Sequence, residues 1–242
     1  MQVVSCHNGK LQTLAVAELK GRSERTFRTG LDVLDALAPS NAFARGTIHE
    51  LLFAPGDGEP RFFATLLARH ASQQKQRRLP IIWSDPRGEL YPPAVAAMGI
   101  DLRHLYLLRP QTPADETWAL AECLRCRGVG AVVAAPQVLS RVEARRLQLA
   151  AETGGGVGLL LRPMGKRSTH YAATTRWLIG PAPGERSVQR WRIQLLHGHG
   201  GRVGETVYLE HDRERNDDKT HPVRAIVQLA DRPAATTKRA IA

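Results

Sequence analysis

The chain is predicted to be an α/β protein, with a mainly parallel central sheet flanked by helices and an antiparallel extension at its carboxyl end. Between residues 47 and 161 short apolar runs alternate with amphipathic stretches, the signature of parallel strands joined by crossover helices. The runs 47–53, 80–84, 105–108, 131–135 and 157–161 carry few polar positions, as strands covered on both faces do. After Pro163 the pattern changes to longer alternating segments, 176–179, 190–196 and 205–211, joined by Gly- and Pro-rich turns that read as hairpins.

Each element has a local cause. Residues 10–20, Lys-Leu-Gln-Thr-Leu-Ala-Val-Ala-Glu-Leu-Lys, read as a short amphipathic helix ending at Gly21, ahead of an arginine-rich connection. The helix predicted over 60–76 starts on Pro60, whose fixed φ suits a first turn, and places Phe63, Leu66, Leu67 and His70 on one stripe toward the sheet. Thr112-Pro-Ala-Asp115 opens the next helix with a capping pattern; Trp118, Ala121 and Leu124 are expected on its inner face and Gly128 at its stop. Ser140-Arg-Val-Glu143 is a capping box. The helix behind it carries Arg141, Arg145 and Arg146, which read either as a solvated face or as a nucleic-acid surface. The organisation expected is an N-terminal helix and connection over 1–27, a core over 28–212, and a mobile tail over 213–242. That tail holds one apolar segment with Val223, Ile226, Val227 and Leu229. The segment suits a partner-binding peptide, or it packs back on the core.

With 242 residues and 43% hydrophobic content the chain can bury a sizeable core. No apolar run approaches the roughly 20 residues that span a bilayer, and the N-terminus lacks signal-peptide regions, so a cytoplasmic protein without membrane contact is expected. Three cysteines make no disulfide framework. Cys123-Leu-Arg-Cys126 has no second pair to complete a zinc site and reads as two small residues on one helix. His197-Gly-His-Gly200 reads as a hairpin turn, and no metal ligand set is nominated. The net charge of +11 implies an anionic partner, or a composition biased toward arginine throughout.

The most informative stretch is Glu50-Leu-Leu-Phe-Ala-Pro-Gly-Asp-Gly-Glu-Pro-Arg-Phe-Phe63, which stands between the first strand and its helix, where a phosphate-binding loop belongs. A working loop, G-x-x-x-x-G-K-[ST], needs glycines for close backbone approach, a lysine for the terminal phosphates and a hydroxyl for magnesium. In register, Ala54 replaces the first glycine, Glu59 the second, Pro60 the lysine and Arg61 the hydroxyl, while Gly56 and Gly58 keep the loop glycine-rich. Pro60 has no N–H to offer a phosphate, and Glu59 sets a negative charge where one would sit.

The flanking sequence resembles the RecA superfamily. Arg28-Thr-Gly-Leu-Asp-Val-Leu-Asp-Ala-Leu37 and Phe43-Ala-Arg-Gly-Thr-Ile-His-Glu-Leu51 look like its entry helix and first strand, and Ala97-Met-Gly-Ile-Asp-Leu-Arg-His-Leu105 like a later connection. Gly128-Val-Gly-Ala-Val-Val-Ala-Ala135 falls at the Walker B strand but runs into Pro136-Gln137 rather than the magnesium-holding aspartate. Asp85-Pro-Arg-Gly88 places Arg87 where the water-activating glutamate belongs. Within the superfamily, Arg145-Arg-Leu-Gln-Leu-Ala-Ala151, Gly158-Leu-Leu-Leu-Arg-Pro163 and Trp191-Arg-Ile-Gln-Leu-Leu-His-Gly-His-Gly-Gly201 resemble the ImuA family of bacterial mutagenesis cassettes; SulA, the division inhibitor, is the rival reading.

That resemblance implies a RecA-like core without ATPase activity, hence no catalytic residue and no cofactor. It further implies an accessory role in SOS-induced translesion synthesis, with an ImuB-like polymerase homologue, the error-prone polymerase DnaE2 and RecA as partners. The loop Met164-Gly-Lys-Arg-Ser-Thr-His-Tyr171 lies where RecA extends a DNA-binding loop. Lys166 and Arg167 could hold phosphates of single-stranded DNA and Tyr171 could stack on a base; an ordinary solvated turn is the other reading.

Overall fold

The computed structural model describes residues 5–7, 10–12, 25–74, 77–165, 173–184, 188–212 and 224–226. In chain order these form β1 (Ser5–His7), β2 (Lys10–Gln12), β3 (Thr26–Phe27), α1 (Asp32–Asp35), β4 (Phe43–Ala44), β5 (Thr47–Phe53), α2 (Arg61–Ser72), β6 (Gln73–Gln74), β7 (Arg77–Arg78) and β8 (Ile81–Ser84). They continue with α3 (Pro92–Ala97), β9 (Leu105–Leu108), α4 (Pro113–Arg125), β10 (Ala131–Ala134), α5 (Arg141–Gly154) and β11 (Val157–Pro163). The chain then runs through β12 (Thr175–Ala182), β13 (Val188–Gly198), β14 (Thr206–Asp212) and β15 (Arg224–Ile226).

A nine-stranded sheet organises the described residues in the order β15-β14-β13-β12-β5-β11-β10-β8-β9. The six strands from β12 to β9 are mutually parallel, whereas β13, β14 and β15 add on antiparallel. The α/β class and the antiparallel extension are therefore those the sequence predicts. β12 is the hinge between the two halves: it lies parallel to β5 through Thr175↔His49 and antiparallel to β13 through Ile179↔Ile193.

The strand period of two sorts side chains into two cores. Leu51, Ile81, Trp83, Val133, Leu159, Leu161 and Trp177 face α2, whose Phe63, Leu66, Leu67 and Ala71 are buried against them. Ile48, Ile82, Val132, Ala134 and Leu160 face α4 and α5 on the other side. Those two helices approach closely at Gly154, where any Cβ would collide with the Leu124 carbonyl, and α5 then ends on Gly155 in the left-handed conformation at φ 79.

Several local expectations change. Lys10–Gln12, expected to begin a helix, pairs antiparallel with Ser5–His7, and the intervening sequence Asn8-Gly9 is the dipeptide that two-residue hairpins favour. Residues 13–24, most of the predicted helix, lie outside the described residues. α2 stops at Ser72 instead of continuing to 76, because the buried Arg45 guanidinium donates to the carbonyls of Ala71 and Gln73 and so caps the helix end. On α4 the inner face is built by Thr117, Leu120, Ala121 and Leu124, leaving Trp118 turned outward at 37% exposure; the helix stops at Arg125, short of Gly128. Arg224–Ile226, inside the stretch read as a tail, forms the outermost strand of the sheet, with Ile226 opposite Tyr208.

Candidate functional site

β5 delivers the chain to the carboxyl edge of the parallel sheet, and the glycine-containing loop follows it. Ala54 accepts from the Asp57 N–H at 3.0 Å, closing a turn over Gly56, whose φ of 95 suits glycine. Pro60 caps α2 without a side-chain hydrogen bond, and Arg61 is the first helical residue. The Arg61 N–H points back to the Glu59 carbonyl at 2.7 Å. Of the two amides that would open an anion cradle, one is absent in Pro60 and the other is spent within the loop.

The side chains around this loop neutralise one another. Arg61 reaches Glu59 through Nε at 2.9 Å and Glu89 through a terminal nitrogen at 2.9 Å. Arg87 reaches Glu89 at 2.7 Å and Glu59 at 3.6 Å. Two arginines and two glutamates thus form a closed ring of ion pairs. Burial works against the Arg61 charge, but the hydrogen bonds it donates to Glu59 and Glu89 outweigh it and raise its pKa above the ordinary value. The Arg87 and Arg61 hydrogen bonds hold the Glu89 carboxyl below its usual range, and the Glu89 hydrogen bond raises Arg87. The loop after β5 and the turn after β8 therefore touch each other through opposite charges.

Beneath the ring lies a cavity of about 180 Å³ at the carboxyl ends of β8, β10 and β11, bounded by the first turn of α4. This is the crevice where open α/β sheets place ligands, but its volume falls below the roughly 300 Å³ at which small-molecule sites begin. Trp83, Ser84 and Asp85 line it from β8 and its following turn, Glu116 from α4, and Gln137 from the loop after β10. Ser84 Oγ donates to Glu116 at 2.5 Å, and Asp85 Oδ1 accepts from the N–H groups of Glu89 and Leu90 at 2.8 and 3.2 Å. On the other side of Glu59 and Pro60 a groove of about 480 Å³ runs along Phe62 and Trp191, whose rings stack with centroids 3.6 Å apart, toward Met98 and His211.

The structure brings Glu59, Arg61 and Arg87 together, with Gly58, Glu59 and Pro60 bordering the groove. Pro136 is buried and lines neither space, although its neighbours Ala135 and Gln137 line the cavity. Arg141 and Arg145 are exposed on α5 and line neither space. Lys166, Arg167, Tyr171, Val223, Val227 and Leu229 lie outside the described residues. Cys123 is buried on α4 and Cys126 half-buried just beyond it. Among the described residues no cluster of His, Cys, Asp and Glu is disposed to hold a metal, and no helix is long and apolar enough to cross a membrane. Sequence reasoning missed Glu89, which closes the ring, and Glu116, which faces Ser84; neither belongs to a motif, and only the fold brings them there.

No family model matches the chain. It is similar to Protein ImuA of Caulobacter vibrioides, from two strains, with 29% identity over 225 residues that cover 85% of this chain and 90% of that protein. A similarity that extends over most of both chains supports an ImuA-family assignment.

Proposed function

We propose that this protein is a non-catalytic, RecA-like accessory factor of SOS-induced error-prone translesion DNA synthesis. In this reading it links an ImuB-like polymerase homologue and the DnaE2 polymerase to RecA or to damaged DNA. The observation that carries the reading is the similarity to Protein ImuA over 85% of this chain. The ring of ion pairs supports its non-catalytic part: a nucleotide phosphate entering the loop would have to break Arg61 away from two glutamates and meet the Glu59 carboxylate. The positive chain, with Arg141 and Arg145 exposed on α5, suits contact with anionic partners without requiring base recognition.

The test is co-purification of the full chain, and of a chain ending at Ile226, with the polymerase homologue, DnaE2 and RecA. The shortened chain keeps β15, so loss of binding would implicate residues 227–242 rather than a disrupted sheet edge. Binding to the polymerase homologue by the full chain is expected, together with no retention of ATP at millimolar concentration in equilibrium dialysis. Magnesium-dependent ATP turnover, or failure to bind any of the three proteins, would overturn the proposal.

A further inference from the structure

The ring of ion pairs accounts for four of the charged groups beside the 180 Å³ cavity and leaves two carboxyl groups over. Asp85 and Glu116 are 5% and 7% exposed, both line the cavity, and no cation pairs with either among the described residues. Asp85 Oδ1 is satisfied by two backbone N–H groups, whereas its Oδ2 is buried with no hydrogen-bond partner. Glu116 receives one hydrogen bond, from Ser84. A buried carboxylate oxygen without a partner carries a desolvation cost that structures rarely leave uncompensated. This excess of negative charge also stands in a chain whose net charge is +11.

From this we infer that the cavity is a receptor for a cationic group, a guanidinium or primary ammonium on an alkyl stem, held between Asp85 and Glu116. The chemistry follows from the walls. Trp83, Pro113 and Leu161 offer apolar surface to a methylene stem, and the two carboxyl groups and Gln137 offer acceptors to N–H donors. The volume admits the head of one such side chain and excludes a nucleotide. Such a head group arrives either on an arginine or lysine of a partner protein or on a small polyamine. The inference rests on these side chains alone and goes beyond the role proposed above, sharing with it only the absence of nucleotide from this end of the sheet.

The experiment is amide chemical-shift mapping on the isotopically labelled full chain at low ionic strength, with agmatine and with the peptide acetyl-Gly-Arg-Gly-amide as probes. Saturable shifts at Ser84, Asp85 and Glu116 are expected, and Glu116→Gln and Asp85→Asn should each weaken the affinity about tenfold, as loss of one charge-assisted hydrogen bond does. Should Asp85→Asn fold poorly because the turn at Glu89 and Leu90 depends on it, Glu116→Gln carries the test alone. Shifts from the peptide but not agmatine identify a protein side chain as the ligand; shifts from agmatine identify a free amine. The inference is overturned if neither probe gives saturable shifts at millimolar concentration, or if both substitutions leave the shifts unchanged. ATP added in parallel separates the two proposals: saturable ATP shifts in the loop after β5 sink the non-nucleotide reading as well, whereas silence from amines and ATP alike removes only the cationic site.

Discussion

β5 places one glutamate inside the sheet and delivers another to the surface loop, and each meets two arginines. Glu50 is fully buried and bridges Arg162 of β11 at 2.9 Å and Arg176 of β12 at 2.8 Å, tying together three adjacent parallel strands. Glu59, with Glu89, meets Arg61 and Arg87, but those side chains are 23% to 52% exposed. The chemistry is the same and the solvent differs. In the sheet, the carboxylate cannot be replaced by water; at the loop, water and salt compete for every partner. The inner cluster is thus part of what holds the fold, and the outer one lies at the mouth of a cavity with little consequence for stability.

The largest effect expected is at Glu50. Glu50→Gln keeps the shape but leaves two nearly buried guanidinium groups facing an uncharged amide, and should destabilise the protein by about 3 kcal/mol in urea unfolding. Replacing the triad together, with Glu50→Leu, Arg162→Leu and Arg176→Met, should restore much of that stability, since apolar side chains of similar volume satisfy the same space. A single substitution with no effect would break the contrast between the two clusters.

The next effect comes from the neighbouring residue on the opposite face of β5. His49 is fully buried; burial lowers its pKa from 6.5 to about 4, against the raising effect of its bond to the Ala44 carbonyl. That carbonyl accepts from Nε2 at 2.9 Å, so Nδ1 is unprotonated and accepts a hydrogen bond from the Thr175 hydroxyl at 2.6 Å, while Trp177 Nε1 donates to Thr175 Oγ1 at 2.7 Å. The chain of donors fixes the neutral tautomer. As pH falls from 6.5 to 4 the unfolded chain takes up a proton that the folded chain refuses, so stability falls over that window and levels below it. The loss should approach 3 kcal/mol, on the order of 1.4 kcal/mol for each pH unit of the shift. Unfolding of the His49→Gln variant between pH 7 and 4 should lack this slope relative to the parent; identical slopes would show that His49 already carries its proton when folded.

Legibility in the sequence follows the range of the interaction. The capping box of α5 is written within four residues, and both of its hydrogen bonds form: Glu143 N–H to Ser140 Oγ and Ser140 N–H to the Glu143 carboxylate. The alternation of strand and helix and the switch to antiparallel hairpins also follow from local periodicity, whereas the order of the strands in the sheet does not. What escapes is non-local: Arg45 ends α2 from 26 residues away, and Glu89 closes the ring with Arg61 from 28 residues away. Trp118 misled for the opposite reason, since a large apolar residue implies an inner face that smaller Thr117 and Ala121 in fact supply. Within the site, neither the mutual neutralisation of the loop's charged residues nor the two spare carboxyl groups below could be read from the sequence.

The smallest effect is expected where the sequence departs most visibly from a phosphate-binding loop. Arg61→Met retains an aliphatic stem and removes the guanidinium that joins Glu59 to Glu89. Because Arg61 is 35% exposed, solvent replaces much of what it gave, and the change in unfolding free energy should stay within about 1 kcal/mol. The residue of that effect should shrink further in 1 M salt, where charges are screened over about 3 Å. The Glu50 effect should persist there, since ions do not reach a side chain with no exposed surface. Parallel urea titrations of Arg61→Met and Glu50→Gln at low and high salt therefore give the sharpest reading of the contrast. If Arg61→Met instead costs as much as Glu50→Gln and does so at both salt concentrations, the ring is a structural element in its own right. The loop would then owe its departure from phosphate chemistry to stability rather than to a binding role.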